Sequence, residues 1–249
     1  MIDLHAHILP GLDDGAKTLE ESIKMCWIAY KDGIGTIVAT PHTLNGLFKN
    51  NRLIILAKVG ELNSELRTNN SELPLAILPG ADVRLCEETL PMLDSREVTT
   101  IGDEGKYLFV EFPFQGIPYR TEEVLFQLMG RGIIPIITHP ERNMEIGQRP
   151  KRYYEMIRMG CLAQVTAMSL TGGFGPEIRR VAEKLLTHRL IHIIASDAHS
   201  TDWRPPILSE AVRVAERIVS KKEARKMVTE YPQAVLKNER PNVPEPLPI

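Results

Sequence analysis

Seven short β-rich runs alternate with helical patterns along this chain, and that alternation constrains its fold more than any other feature. The runs cover residues 1–5, 36–40, 75–78, 107–112, 133–138, 161–166 and 191–196. Several are almost continuously apolar, as expected of parallel strands covered on both faces. The segments between them carry helix signals. Thr18 and Glu21 form a capping box, Ile23, Trp27 and Tyr30 follow at helical spacing, and Gly33 ends the helix. Ile55, Val59, Leu62 and Leu66 make a second apolar stripe. Residues 121–132, 150–160, 176–189 and 208–231 read as further helices, the last with a break near Ser220. Such alternation predicts βαβ units around a parallel sheet. Closed on itself, the sheet is an α/β barrel one unit short of the eight-fold form.

With 249 residues, 43% hydrophobic and 25% charged, the chain can bury one large core. Neither an internal repeat nor a composition break divides it, so a single domain is expected over residues 1–239. The tail 240–249 carries Pro241, Pro244, Pro246 and Pro248 and is expected to be extended, either loose or draped on a neighbour. A net charge of -2 without a long basic block argues against nucleic acid as a partner. Apolar runs such as Ile133–Ile137 are too short to span a bilayer, and the start does not read as a signal peptide, so a cytoplasmic, non-inserted protein is expected. Oligomeric state stays open. Cys26, Cys86 and Cys161 read as buried, reduced thiols rather than a disulfide framework or a thiolate zinc site.

Chemistry in a parallel barrel collects where the strands end. Here the first run leads into His5 and His7, the second into Thr40-Pro41-His42, the third into Pro79-Gly80-Ala81-Asp82. The fourth carries Glu111, the fifth ends in Thr138-His139-Pro140-Glu141-Arg142, and the seventh ends in Ser196-Asp197-Ala198-His199. The sixth, ending near Gln164 and Thr166, lacks a His or a carboxylate. Residues i and i+2 of an extended chain share a face, so His5 with His7 and Asp197 with His199 can each converge on one point. With His42, Asp82, Glu111, His139 and either Asp13 or Asp14, nine donors assemble, five imidazoles and four carboxylates. Four carboxylates in one small cavity repel each other unless cations compensate them. Imidazole and carboxylate donors suit manganese, iron or zinc, and nine donors suit two or three ions. His188 and His192 read as structural. Arg142 and Arg204 follow His139 and His199 closely and are expected at the mouth of the site, where a guanidinium fork matches phosphate oxygens.

His5-Ala6-His7, Thr40-Pro41-His42, Thr138-His139-Pro140-Glu141-Arg142 and Ser196-Asp197-Ala198-His199 together resemble the polymerase-and-histidinol-phosphatase (PHP) family. The opening stretch, Met1 to Ala16, resembles its branch of manganese-dependent bacterial protein-tyrosine phosphatases from capsule and exopolysaccharide gene clusters. The match runs through nearly the whole chain. The resemblance implies a distorted, TIM-like (β/α)7 barrel, the PHP fold, with up to three divalent ions, manganese foremost and iron or zinc as substitutes. It implies that His5, His7 and Asp197 hold the first ion, with Asp82 bridging to a second completed by Glu111 and His139. Asp14, His42 and His199 hold the third by the same resemblance, Asp14 rather than Asp13 being the family position. Arg142 and Arg204 match positions that hold the substrate phosphate. The bridging residue is usually Glu, in Gly-x-Glu-[Ile/Val]-Arg. Here it is Asp82 in Gly80-Ala81-Asp82-Val83-Arg84, one methylene shorter, which implies either a strand closer to the ions or a looser bridge.

The implied reaction is hydrolysis of a phosphomonoester by a metal-bridging hydroxide, from a water whose pKa falls from about 15.7 toward neutrality. The arginines stabilise charge on the phosphoryl oxygens. A tyrosine leaving group, with a pKa of about 10, departs with little protonation. The implied partner is a phosphotyrosine protein, a bacterial tyrosine autokinase of polysaccharide export. Leu47 and Phe48, just after His42, are expected to wall the substrate ring. A thiolate phosphatase would place an Arg six residues beyond its Cys, but Asp32, Met92 and Ala167 stand there. Two other readings stay open: the same architecture acting on a small ester such as histidinol phosphate, and a non-catalytic metal-binding partner of a kinase.

Overall fold

The computed structural model describes residues 1–68 and 73–249. Among them the parallel strands are β1 (Ile2–Ala6), β2 (Thr36–Ala39), β3 (His42–Thr43), β4 (Ala76–Pro79), β5 (Asp82–Arg84), β6 (Tyr107–Glu111), β7 (Ile134–Thr138), β8 (Leu162–Thr166) and β9 (Ile193–Ala195). Each expected run contains a strand, and two runs continue beyond where they were expected to stop. Pro41 has no N–H to give a ladder, so the second run breaks after Ala39 and resumes as β3. The third breaks at Gly80-Ala81 and resumes as β5.

These breaks move the chain from one sheet to another. One sheet has the order β1-β2-β4, the other β3-β5-β6-β7-β8-β9. The barrel is therefore not a closed, continuous ladder of seven strands. Its seam between β9 and β1 is an isolated bridge, Ala6 with Ala198. There His7 N donates to Ala198 O and Asp197 N donates to His5 O, both at 2.8 Å. The second sheet's register sets His42 beside Asp82, Asp82 beside Phe109 and Arg84 beside Glu111. Residues far apart in sequence thus share one rim.

Two apolar clusters fill the molecule. The smaller takes Leu4, Val38, Tyr107, Phe109, Ile136, Leu162 and Ile193 from six strands, with Ile101 and Val235. It fills the space inside the strands as barrel interiors are filled. The larger lies between strands and helices and includes Met25, Ile55, Leu62, Leu125, Leu128, Met156 and Leu185. Thr18 caps helix Leu19–Lys31 by accepting from Glu21 N at 3.2 Å. Glu21 returns to Lys17 N rather than to the cap residue, so the box is shifted by one position. The long helix expected over 208–231 is three short ones, Ser209–Ala215, Lys221–Lys226 and Glu230–Leu236. Ser220 caps the second. The tail folds back on its own chain: Leu247 N donates to His188 O at 2.9 Å, and Val243 packs against both apolar clusters. Cys26 and Cys161 are buried, but Cys86, against expectation, is half-buried because it lies in the turn after β5 rather than on a strand.

Candidate metal centre

The loop after β1 is fixed by a close approach. A Cβ on Gly15 would lie 2.1 Å from His7 O, so a glycine is required for the loop to turn back under the strand end. Ala16 N then donates to His7 O at 3.1 Å. This fold separates the two early aspartates. Asp13 lies behind His7, with Oδ2 2.6 Å from His7 Nδ1, and accepts from His42 N at 2.9 Å. Asp14 faces the site, its Oδ1 3.6 Å from His42 Nε2 and 3.5 Å from His199 Nε2.

The centre of the site is Asp82, fully buried at the start of β5. Its Oδ1 accepts from Thr138 Oγ1 at 3.1 Å. Its Oδ2 faces His5 Nε2 at 3.7 Å, His42 Nδ1 at 3.5 Å and His139 Nε2 at 3.6 Å. Glu111 stands beside them, with Oε2 3.8 Å from His42 Nδ1 and Oε1 3.9 Å from His139 Nε2. Asp197 Oδ1 faces His5 Nε2 at 3.5 Å and His7 Nε2 at 3.4 Å. Its other oxygen, Oδ2, accepts from Arg142 Nη2 at 2.8 Å and from Arg204 Nη2. Neither arginine makes the alternative surface pair with its sequence neighbour Glu141 or Asp202. His139 and Asp197 hold φ of 34° and 51°, left-handed values that cost a non-glycine residue about 1–3 kcal/mol each and are retained where function fixes them.

Burial opposes charge throughout. It pushes His5 down to about 3 and His42 to about 4, and it lowers His139 and His199 as well. Neutral imidazoles of this kind can ligate a cation. Burial acts the same way on His7, but the carboxylates of Asp13 and Asp197 override it and lift His7 to about 10, so a cation binding there would have to displace a proton. Burial and then the Asp82 charge push Glu111 up to about 8. For Asp82 itself, burial is outweighed by the surrounding histidines, which hold its carboxyl below the usual range.

The donors fit divalent ions. Asp82 Oδ2 and His42 Nδ1 are buried without a hydrogen-bond partner among the described residues. Each buried polar atom left so costs about 1–3 kcal/mol unless something else binds it. Three groups have donor atoms within 4.8 Å of one another: His7, Asp14, His42 and His199; His5, His7 and Asp82; His42, Asp82 and Glu111. Two donors each about 2.1 Å from one ion stand about 3.0–3.5 Å apart at bond angles near 90–110°. The spacings of 3.4–3.7 Å around Asp82 and Asp197 sit at or just above that separation. His7, His42 and Asp82 each belong to two of these groups, so the groups are contiguous.

The profile of the capsular polysaccharide synthesis family CpsB/CapC matches residues 1–237. The chain belongs to the CpsB/CapC family. It is 38% identical over 239 residues to the tyrosine-protein phosphatase YwqE of Bacillus subtilis, covering 96% of this chain and 92% of that one. It is 31% identical over 243 residues to the tyrosine-protein phosphatase CpsB of Streptococcus agalactiae, covering 96% and 99%. Its fold superposes with a TM-score of 0.94, at 37% identity and over 100% and 99% of the two chains, on a structure from work on YwqE of Bacillus subtilis and CpsB of Streptococcus pneumoniae, described as metal-dependent tyrosine phosphatases.

Sequence reasoning overlooked the residues that orient the donors of this CpsB/CapC chain. Gln164, on the strand whose end has no His or acid, places Oε1 3.1 Å from His5 Nδ1. Thr166 Oγ1 donates to Asp197 Oδ2 at 3.3 Å, and Arg84 Nε donates to Glu111 Oε2 at 2.9 Å. Asp13 does the same for His7. Its signal was present as the doubled aspartate, whose two roles only the loop's path separates. Asp13→Asn is expected to weaken manganese binding by about 10–100-fold, as loss of an orienting carboxylate does. Chelator-competition titration measures this, and unchanged affinity would remove the role assigned to Asp13.

Proposed function

We propose that this CpsB/CapC chain is a metal-dependent protein-tyrosine phosphatase, a phosphoric monoester hydrolase whose substrate is a phosphotyrosine protein. The observation that carries the reading is Asp82 Oδ2, buried, unpartnered and faced by three imidazoles from three different strand ends or loops. The relatives' names support the substrate class, and the capsular synthesis family is consistent with a membrane tyrosine autokinase of polysaccharide export as partner and a cytoplasmic place for this chain. No helix among the described residues is long and apolar enough to cross a membrane. His5, His7, Asp14, His42, Asp82, Glu111, His139, Asp197 and His199 would hold the ions, and their nitrogen and oxygen donors suit manganese. Divalent ions bound there supply a water of lowered pKa and neutralise charge on the phosphoryl group.

The chain's own residues do the rest. Arg142 and Arg204 line the cavity beside the candidate ligands, where a guanidinium can meet a phosphoryl oxygen. The cavity above them, 320 Å³, is lined by Asn45, Leu47, Phe48, Arg84 and Phe114. Phe48 stacks on His42, with centroids 6.2 Å apart and planes 6° apart, and with Phe114 it gives the substrate ring apolar walls. Burial pushes the Cys26 and Cys161 thiols up to about 12. Burial also raises the half-buried Cys86 thiol, which disfavours a cysteine nucleophile.

The test is elemental analysis of the purified chain with assays on a phosphotyrosine peptide and on histidinol phosphate. Manganese-stimulated hydrolysis of the peptide, lost with chelator and restored by manganese, is expected. Preference for histidinol phosphate, or an inert metal-loaded chain, would overturn the reading.

A further inference from the structure

Arg142 and Arg204 come from different strand ends, yet both lie over one ring. Arg142 Cζ is 5.3 Å from the centroid of Phe174, and Arg204 Cζ is 5.5 Å from it. Phe174 belongs to the loop after β8, between helices Ala167–Thr171 and Pro176–Thr187. Gly175 N donates to Gly172 O at 2.9 Å, which closes a turn with Gly173 and Phe174 at its centre. Gly172 and Gly175 hold φ of 91° and 94°, where L side chains are disfavoured. A Cβ on Gly173 would meet the Met168 side chain at 2.5 Å. The backbone path is thus dictated by glycines, and the large side chain it presents is Phe174. That ring is half-buried and belongs to neither apolar cluster.

Charge explains what the ring is for. Two guanidiniums converge on a single oxygen, Asp197 Oδ2. One carboxylate cannot neutralise both, and both side chains are largely withdrawn from water, at 12% and 14% exposure. An aromatic face is negative and takes no hydrogen bond, so it holds a guanidinium without consuming its donors. The Nη2 of each arginine is spent on Asp197, and the Nε of each stays unpartnered.

We propose that Phe174 is the positioning residue of the phosphate-binding pair, a shared platform that holds Arg142 and Arg204 side by side on Asp197. This rests on the reading of those arginines as the phosphate-binding groups. The test is competitive inhibition by inorganic phosphate, with steady-state kinetics, on the manganese-loaded full chain. Phe174→Leu is expected to weaken phosphate inhibition about tenfold and to lower kcat/KM by a similar factor on aryl and alkyl phosphates alike. Its manganese content and Tm should match the wild type, since the ring lies outside the core. Phe174→Tyr, which keeps the π face, should restore both constants. A loss confined to aryl phosphates would make Phe174 a contact for the substrate ring, and a Phe174→Leu variant equal to wild type would leave the ring without this role; either overturns the proposal. If Arg142→Ala and Arg204→Ala leave phosphate inhibition unchanged, the arginine reading itself falls. If they weaken it while Phe174→Leu does not, only the platform falls.

Discussion

Asp82→Asn is expected to lower kcat by about a thousandfold, about 4 kcal/mol of barrier, and to reduce bound manganese by about one ion per chain. The amide has the same shape but no charge, and one of its ends carries N–H groups instead of a lone pair. Asp82 Oδ2 faces three imidazole nitrogens at 3.5–3.7 Å, so it is placed to serve with them as a ligand. Its partner oxygen is bonded to Thr138, and an amide oxygen can keep that bond. Stability of the metal-free chain should therefore change little, which separates a lost ligand from a lost fold. The spacing also bears on the shorter side chain. β5 pairs with β3 and β6 in a register that sets Asp82 between His42 and Phe109, so its backbone lies close to the rings. A longer carboxylate would be driven among them, and Asp82→Glu is expected to cost about tenfold in kcat rather than to gain. Elemental analysis and kcat on a phosphotyrosine peptide measure both variants. A more active Asp82→Glu would show that the shorter side chain would hold its ions loosely.

Much of this was legible in the sequence because strand ends are local. Apolar runs followed directly by His, Asp or Glu located β1, β6, β7 and β9, and the parallel fold placed their ends together. What was not legible depended on breaks and returns of the backbone. Pro41 and Gly80 looked like terminators, but each interrupts a strand that resumes and carries the donor, His42 on β3 and Asp82 on β5. Those resumptions split the barrel into two sheets. The sixth strand looks inert in the sequence because its end carries neither His nor carboxylate. Its residues act on other residues: Gln164 on His5, Thr166 on Asp197, and Phe174, in the loop beyond, on two arginines. Contacts of that kind have no spacing signature, since their partners lie tens of residues away.

Arg142→Ala and Arg204→Ala are each expected to lower kcat/KM by about a hundredfold, and the double variant is expected to fall well short of the product. The reason is their common acceptor. Asp197 divides its carboxylate: Oδ1 faces His5 and His7, while Oδ2 takes Nη2 from both arginines. Burial would raise the pKa of Asp197, but the two guanidiniums hold it well below the carboxylate range. Removing either arginine leaves the other to recentre on Asp197, which shifts its guanidinium within the cavity. The first deletion thus damages both, and the second has less left to remove. Lysine cannot replace either residue, because a single ammonium point cannot bind Asp197 and present a separate donor to phosphate. Arg142→Lys is therefore expected to behave nearly as Arg142→Ala, with manganese content retained in both. Strictly additive losses in the double variant would mean that each arginine meets the substrate on its own, and Asp197 would then be a ligand alone rather than the anchor of the phosphate site.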